Sequence, residues 1–162
     1  MSESISEIQQ TIIKTDFYID IKLLIMDLQS RTRLLNQARS LIGNKYDSLD
    51  CSHFVQKAFE SAGMKYDYLN SSAFASDMNS HFKKIGVNLP ASSLDPGDVI
   101  VYNNHMGIWD PEGCTALGAN QECKRLKSDA PFLSSRSSKN RGPDFGRLNM
   151  WTGDYQVYRW VK

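Results

Sequence analysis

The chain has 162 residues, a formal net charge of +1, 41% hydrophobic residues and 23% charged residues. This is the size of one ordinary domain with a real core, and the composition is that of a soluble globular protein. The near-neutral charge gives neither a basic field for nucleic acid nor the acidic excess of a disordered chain. We expect one domain over residues 1–162, with residues 1–30 as an N-terminal extension packed on it.

The N-terminal sequence predicts no secretory signal peptide. The run MSESISEIQQ is polar and acidic, and no positive region leads from it into an apolar core. The most apolar run, residues 17–28, is too short to span a bilayer and has charged residues in and beside it. We therefore expect synthesis in the cytoplasm without membrane insertion, so that action elsewhere requires another delivery route.

Helical patterns dominate the first half of the chain. One apolar face ends at Gly43 and is formed by Leu34, Leu35, Ala38, Leu41 and Ile42. The next helix begins at Cys51, with Asp50 as its N-cap and Gly63 as its C-terminal stop. A third is predicted from Ser71 or Ser72 to Gly86, and its apolar face consists of Phe74, Met78, Phe82 and Ile85.

The pattern changes to β-strands after Pro90. One strand is predicted over residues 99–102, a second, after an Asn-Asn turn, over about 105–109, and a short third around 114–117. The sequence YQVYRWVK at the end of the chain indicates a last strand. The Ser- and Lys-rich run of residues 124–146 is interpreted as a long irregular surface excursion. Helices followed by an antiparallel sheet predict an α+β fold.

Cys51 is the first candidate for chemistry. A helix N-terminus favours the thiolate, because free backbone N–H groups and the helix dipole stabilise negative charge. A lone cysteine before an apolar helix is nevertheless more often a structural core residue. A base is also needed: a helix points His53 away from Cys51, and His81 lies on the predicted solvent side of its helix. His105, at a strand start after a tight turn, is the remaining candidate.

The other two cysteines, Cys114 and Cys123, are nine positions apart. They could form a disulfide in an oxidising compartment, although two reduced thiols are the commoner state in a cytoplasmic product. Their pairing would leave Cys51 as the odd free thiol, as a nucleophile requires. No metal site or cofactor is expected.

Two blocks of this sequence together resemble one known family. The run LDCSHFVQKAF resembles the DCSGFV signature of the NlpC-type cell-wall cysteine peptidases, and LDPGDVIVYNNHMGIWD resembles their L-x-P-G-D block with its H-x-G-I-Y end. The two blocks have the family's order and about its spacing, and the resemblance covers residues 34–110. It implies a papain-like α+β fold, with N-terminal helices packed on a C-terminal antiparallel sheet, and hydrolysis of amide bonds in peptidoglycan stem peptides.

The resemblance also implies roles for individual residues. Cys51 is then the nucleophile, His105 is its general base, and the backbone N–H of Cys51 is an oxyanion donor. Asp50 and Ser52 shape the helix start. Tyr46 resembles the family's tyrosine near the oxyanion and the substrate.

The sequence departs from the family pattern in three places. The usual GG before the cysteine is absent, so the approach loop is short, and His53 stands where the signature has glycine. The third member, a polar residue that orients the histidine, would fall near Ala116 or Leu117, and neither can do this. Asn120 is the nearest side chain of the right type. Asp110 or a backbone carbonyl could serve instead.

The function implied is a peptidoglycan amidase or endopeptidase acting through an acyl-enzyme. Small members without a signal resemble the antibacterial amidase effectors that type VI secretion injects, which implies action in a target cell's periplasm or cell wall and an immunity protein that blocks the active site. The alternatives are a phage lysis endopeptidase, a Cys–His toxin that deamidates host proteins, and a non-catalytic interaction protein that kept the fold. We expect residues 66–70 and 124–146 to set substrate preference.

Overall fold

The computed structural model of the protein describes residues 28–76, 81–117 and 130–161. The chain divides into two compact units, residues 1–32 and residues 33–162. Of the first unit only residues 28–32 are described, and they are helical. The predicted extension over residues 1–30 therefore lies almost wholly outside the described residues and stays a prediction.

Two of the predicted helices are confirmed. Helix α1 is described over residues 28–40, and a turn at Gly43, with φ +101°, follows it. Helix α2 spans Cys51–Ser61, and the side chain of Asp50 caps it by accepting from two backbone N–H groups. Its buried face is formed by Phe54, Val55, Ala58 and Phe59, which are 0% exposed. The apolar spacing in the sequence therefore identified the face that α2 packs against the core.

The predicted third helix is confirmed at its start and wrong from Phe82 onward. Helix α3 spans only Ser71–Ala75, and strand β1 begins at Phe82 and ends at Val87. Residues 77–80, which include Met78, lie outside the described residues. Strand β1 pairs with the C-terminal strand, Phe82 opposite Trp160. A long-range pairing thus determined the structure of residues whose apolar spacing also fitted a helix.

One antiparallel sheet carries the rest of the fold. Its strands are β1 (Phe82–Val87), β2 (Val99–Tyr102), β3 (His105–Trp109), β4 (Phe132–Arg136), β5 (Gly142–Gly146) and β6 (Gln156–Trp160). Their order in the sheet is β1-β6-β2-β3-β4-β5, and every pair is antiparallel. The strands predicted at β2, β3 and β6 are confirmed, and so is the α+β class.

The two faces of the sheet bury different groups. The core that contains α2 also holds Val99, Val101, Met106, Ile108 and Leu133. A second apolar cluster holds Ile100, Tyr102, Trp109, Phe132 and Val157, with Trp151 packed against it. Since side chains alternate along a strand, β2 and β3 contribute to both clusters, and neither strand reaches solvent along its length.

Two further predictions are wrong in the second half of the chain. Residues predicted as a third strand form helix α4, Gly113–Ala116. Within the supposed irregular excursion, Phe132–Arg136 and Gly142–Gly146 pair as strands β4 and β5. Serines are buried in β4, and Gly and Pro occur in β5, which is an edge strand, so the composition resembled that of a loop.

Candidate active site

The thiol of Cys51 lies where the start of α2 meets the start of β3. Cys51 is the first residue of the helix, is only 8% exposed, and is a free cysteine. The backbone N–H groups of Met106, Ser52 and Cys51 itself favour the thiolate and so act to lower its pKa. Burial raises the pKa of the thiol, and these N–H groups oppose the rise without cancelling it. The thiol is therefore protonated in the free protein at neutral pH.

Asp50 builds the helix start around the thiol. Its Oδ1 accepts from the backbone N–H of Ser52 at 3.0 Å and of His53 at 2.9 Å, and from the Ser52 hydroxyl at 3.0 Å. Its Oδ2 lies 2.9 Å from Nδ1 of His53. Burial raises the pKa of Asp50, but the hydrogen bonds from His53 and Ser52 outweigh it, and the net pKa is lowered. Asp50 is thus the ionised N-cap of α2, and the prediction that it caps this helix is confirmed.

His105 is the first residue of β3, and its ring is enclosed. The ring stacks on the indole of Trp151, with centroids 4.4 Å apart and 10° between the planes, and meets Phe132 edge-on at 5.9 Å. The side chain is 9% exposed, and its Nε2 has no hydrogen-bond partner among the described residues. Burial, followed by the charge of Arg136, lowers the pKa of His105 to about 4. The imidazole is therefore neutral at neutral pH.

The two candidate groups lie at the same end of β3. The backbone N–H of Met106, which directly follows His105 in the chain, acts to lower the pKa of the Cys51 thiol. The side chain of Met106 belongs to the core on the α2 side, whereas the ring of His105 lies with Trp151 and Phe132. The thiol is thus close to the backbone of Met106, and the imidazole belongs to the preceding residue of the same strand.

Among the described residues, no side chain that the sequence suggested as the third member hydrogen-bonds to the imidazole. Asn120 lies outside the described residues. Asp110 is 0% exposed and accepts two hydrogen bonds of 2.7 Å from Arg39, at the opposite end of β3. Ala116 and Leu117 belong to helix α4 and its C-cap rather than to a strand. The next strand in the chain that pairs with β3 is β4, more than twenty positions beyond the histidine, because residues 110–131 intervene.

A cavity of about 500 Å³ adjoins His105. Its lining consists of Tyr46, Tyr102, Asn103, Asn104, His105, Arg136, Ser137, Ser138, Met150, Trp151 and Thr152. Burial raises the pKa of the Tyr46 hydroxyl, and the nearby Cys51 is the next cause of the rise. Tyr46 therefore lies both on the cavity wall and near the thiol, and its hydroxyl remains a hydrogen-bond donor at neutral pH.

The loop before Cys51 is fastened to the hairpin of β4 and β5. The Ser135 hydroxyl donates to the carbonyl of Leu49. Asp47 and Asn140 exchange two hydrogen bonds, at 2.9 Å and 2.8 Å. Gly142 has φ +75°, and a Cβ there would lie 1.8 Å from the carbonyl oxygen of Asn44. These contacts hold the short approach loop in place, although it lacks the family's two glycines.

Tyr68, His53 and Ser52 form a second group of contacts at the start of α2. The ring of Tyr68 stacks on His53 with centroids 4.6 Å apart, and its hydroxyl lies 2.9 Å from the Ser52 hydroxyl. Tyr68 falls within residues 66–70, where the sequence placed substrate preference. His53, the residue that replaces the signature glycine, therefore packs against this segment.

Sequence reasoning missed Trp151 and Arg136. Trp151 follows a short 3-10 turn, Leu148–Met150, and Arg136 ends β4. Both residues act on His105 through contacts between positions far apart in the chain. The local sequence does not predict such contacts. The sequence MWTG, with an aromatic residue in a loop close to glycine, could have indicated that Trp151 has a functional role.

The described residues also bear on the remaining predictions. Cys114 is disulfide-bonded, whereas Cys123, the partner that the sequence suggested, lies outside the described residues. In the part of the chain that the structure describes, no group of three His, Cys, Asp or Glu side chains could hold a metal ion. No helix there has the length and apolar character needed to cross a membrane.

An α+β domain with a free thiol at a helix start and a strand that begins with a buried histidine is typical of papain-like cysteine hydrolases. The model of the NlpC/P60 family matches residues 40–138, more than half of the chain, and the chain belongs to that family. At the level of the family, the protein is a cysteine peptidase or amidase with peptidoglycan as its substrate. A search of curated proteins finds no match.

Proposed function

We propose that the protein hydrolyses an amide bond in a peptidoglycan stem peptide or cross-link, with Cys51 as nucleophile and His105 as general base and then general acid. One observation carries this proposal. The free thiol of Cys51 lies at the N-terminus of α2, where backbone N–H groups favour the thiolate, and one of those groups belongs to Met106, the residue after the buried His105.

The protonation states favour general-base attack over a preformed ion pair. Burial raises the pKa of Cys51 and lowers that of His105, so both groups are neutral before substrate binds. Substrate brings its carbonyl carbon to the thiol, and His105 takes the proton as the sulfur attacks. The imidazolium formed in the transition state is then stabilised by the developing negative charge beside it.

The negative charge develops on the carbonyl oxygen of the substrate, and hydrogen-bond donors must stabilise it there. The backbone N–H of Cys51, at the N-terminus of α2, is one donor, and the Tyr46 hydroxyl is a second. His105 next protonates the leaving nitrogen, which releases an amine and leaves a thioester on Cys51. Water activated by His105 hydrolyses the thioester to a carboxylic acid and restores the thiol.

We further propose that the protein is an antibacterial effector delivered by type VI secretion into the periplasm of a target cell. The disulfide-bonded state of Cys114 supports an oxidising site of action. A cognate immunity protein would bind over the mouth of the site, between the cavity beside His105 and Tyr68. Targeting the protein to the periplasm should lyse cells, Cys51→Ala should not, and equal toxicity of the two proteins would contradict this proposal.

Digestion of purified peptidoglycan with mass spectrometry of the muropeptides tests the chemical proposal. The protein should release fragments that differ by one amide cleavage, and Cys51→Ala and His105→Gln should not. His81→Gln is a matched control, because His81 also stacks on a tryptophan, Trp160, at 5.1 Å and 7°. Muropeptides unchanged by the intact protein would overturn the proposed activity.

A further inference from the structure

Two aromatic rings contact the imidazole of His105, and no described side chain hydrogen-bonds to its Nε2. We propose that Tyr102 is a positioning residue that holds the indole of Trp151 against this imidazole, and that the resulting stack orients His105 toward Cys51. The inference rests on the proposed function, because this orientation matters to the reaction only if His105 takes the proton from the thiol.

Tyr102 and His105 are neighbours across the hairpin of β2 and β3. Tyr102 is the last residue of β2, His105 is the first residue of β3, and the two are paired with each other in the sheet. Side chains of residues paired in this way in an antiparallel sheet lie on the same face. The Tyr102 ring therefore lies on the face where the His105 ring meets Trp151, and its centroid is 6.0 Å from that of Trp151.

The Tyr102 hydroxyl reaches the turn that leads to Trp151. It donates to the carbonyl of Leu148 at 2.6 Å, and the same carbonyl accepts the backbone N–H of Trp151 at 3.4 Å. Burial raises the pKa of Tyr102, so the hydroxyl keeps its proton and remains a donor. The hydrogen bond from Tyr102 thus fixes the acceptor that also holds the backbone of Trp151.

The turn before Trp151 is weakly anchored by its own side chains. No residue of the turn Leu148–Met150 is buried, and Met150 is 43% exposed. Residues 152–154, which follow Trp151, are also exposed. A short turn without buried residues opens more easily than a strand inside a sheet. Tyr102, which is 4% exposed at the end of a fully buried strand, therefore attaches this turn to a rigid part of the fold.

The stack restricts the imidazole in the way that the proposed reaction needs. Proton transfer requires one ring nitrogen of His105 within hydrogen-bond distance of the thiol, and free rotation of the ring would make that arrangement less frequent. Trp151 covers one face of the ring, with 10° between the planes, and Phe132 meets the ring edge-on. These two rings thus do by packing what a polar third residue does by hydrogen bonding.

Tyr102→Phe tests this role, because it removes the hydroxyl and keeps the ring. Tyr155→Phe is the matched control. The Tyr155 ring lies 5.5 Å from that of Tyr102, and its hydroxyl donates to the carbonyl of Leu89 at 2.5 Å instead of to the turn. Both variants lose one hydrogen bond from a hydroxyl to a carbonyl, so a general loss of stability affects them alike.

Hydrolysis of a synthetic peptide that contains the bond cut in the muropeptide digest gives the first measurement. Tyr102→Phe should lower kcat about tenfold and leave KM within about twofold, because the base is misoriented and substrate binding is intact. Tyr155→Phe should change kcat by less than about twofold. A Tyr102→Phe variant with the kcat of the wild type, or with a change in KM alone, would overturn the inference.

NMR of protein labelled with 13C-histidine measures the stack itself and needs no substrate. The chain has three histidines, and the ring current of a tryptophan moves the signals of an imidazole stacked on it upfield. His81, which stacks on Trp160 with centroids 5.1 Å apart, is the internal reference, and His105→Gln identifies the signals of His105. Tyr102→Phe should move the His105 signals downfield and leave those of His81 in place. His105 signals that stay at their wild-type positions would contradict the proposed role.

A polar third residue predicts the reverse kinetic result. If Asn120, the sequence-based candidate, oriented the base, Asn120→Ala would lower kcat and Tyr102→Phe would not, and the inference would be overturned. The same measurements separate this inference from the proposed function. Wild-type hydrolysis that Tyr102→Phe leaves unchanged would remove the positioning role and keep the function, whereas a wild-type protein that cleaves no peptide would remove both.

Discussion

The ring of His105 stacks on the indole of Trp151, with centroids 4.4 Å apart and planes 10° from parallel. Trp151 is 46 positions farther along the chain and follows a short 3-10 turn. The stack shields one face of the imidazole, which contributes to the burial that lowers its pKa to about 4. Burial, to which Trp151 contributes, thus keeps the proposed base neutral at neutral pH.

Trp151→Ala should therefore change the pH dependence of the reaction. Loss of the indole admits water to the imidazole, and the pKa of His105 should rise from about 4 toward the ordinary 6.5. Because the neutral ring is the base, the acidic limb of kcat/KM should move to higher pH by about one unit or more. Trp151→Phe keeps an aromatic cover and should move the limb less. Identical pH profiles for the three proteins would show that the stack does not set the pKa.

The same shift makes the stability of the fold depend on pH. His105 has a pKa of about 4 when folded and about 6.5 when unfolded, so the unfolded state binds more protons between these values. The free energy of unfolding should fall as pH is lowered through this window, by on the order of 3 kcal/mol. Urea titrations at several pH values measure it.

His105→Gln provides the reference for that measurement, since glutamine does not titrate. Its stability should decline less between about pH 6.5 and about pH 4. Asp50, whose pKa is lowered by its hydrogen bonds, loses its contribution only below that window, as it becomes protonated. Parallel curves for the two proteins would mean that His105 is not the group responsible.

Gly142→Ala should disturb the loop that carries Tyr46 to the site. A Cβ at Gly142 would lie 1.8 Å from the carbonyl oxygen of Asn44, in a backbone conformation with φ +75°. Gly153 is a matched control, because it has φ +92° with no atom within 4 Å of an added Cβ. Gly153→Ala should lose about 1–2 kcal/mol from strain alone. Gly142→Ala should lose more stability and also lower kcat/KM.

Thermal unfolding and peptide hydrolysis measured on both glycine variants decide this point. If the two variants lost the same stability and kept the same activity, the contact between β5 and the approach loop would have no role in holding the site.

Asp50→Ala should remove the cap of α2 and destabilise the protein by about 0.5–2 kcal/mol. Three hydrogen bonds to Oδ1 are lost, and the backbone N–H groups around Cys51 lose the side chain that aligns them. Asp50→Asn keeps an acceptor oxygen and should retain most of the stability. Denaturant unfolding of the two variants measures the difference, and an Ala variant as stable as the Asn variant would refute the cap's contribution.

Local pattern was sufficient where local forces determine the structure. The apolar stripe and Asp50 predicted α2 with Cys51 as its first residue, and the buried runs on either side of Asn103 predicted β2 and β3. The two candidate residues could therefore be placed at a helix start and a strand start without a structure. That His105 faces the helix start was inferred from its position at a strand start, and the structure places the backbone of the next residue, Met106, where it acts on the pKa of Cys51.

Strands β1 and β4 and the position of Trp151 could not be predicted from the sequence, because pairing between distant residues determines them. Strand β1 is a strand because β6, some seventy residues later, pairs with it. Strand β4 buries Ser134 and Ser135, whose polarity resembles that of a loop, and it forms one wall of the site through Arg136. Trp151 reaches His105 only because β4, β5 and the turn after them return the chain to β3. Such contacts have no local signature.

The central claim is that Cys51 carries the acyl group, and intact-protein mass spectrometry during peptidoglycan digestion tests it most directly. Acid quenching should preserve a mass increase equal to the acyl fragment, and peptide mapping should place that increase on Cys51. His105→Gln should show no increase, because attack then lacks its base. An acyl group on another residue, or cleavage without any thioester on Cys51, would contradict the account.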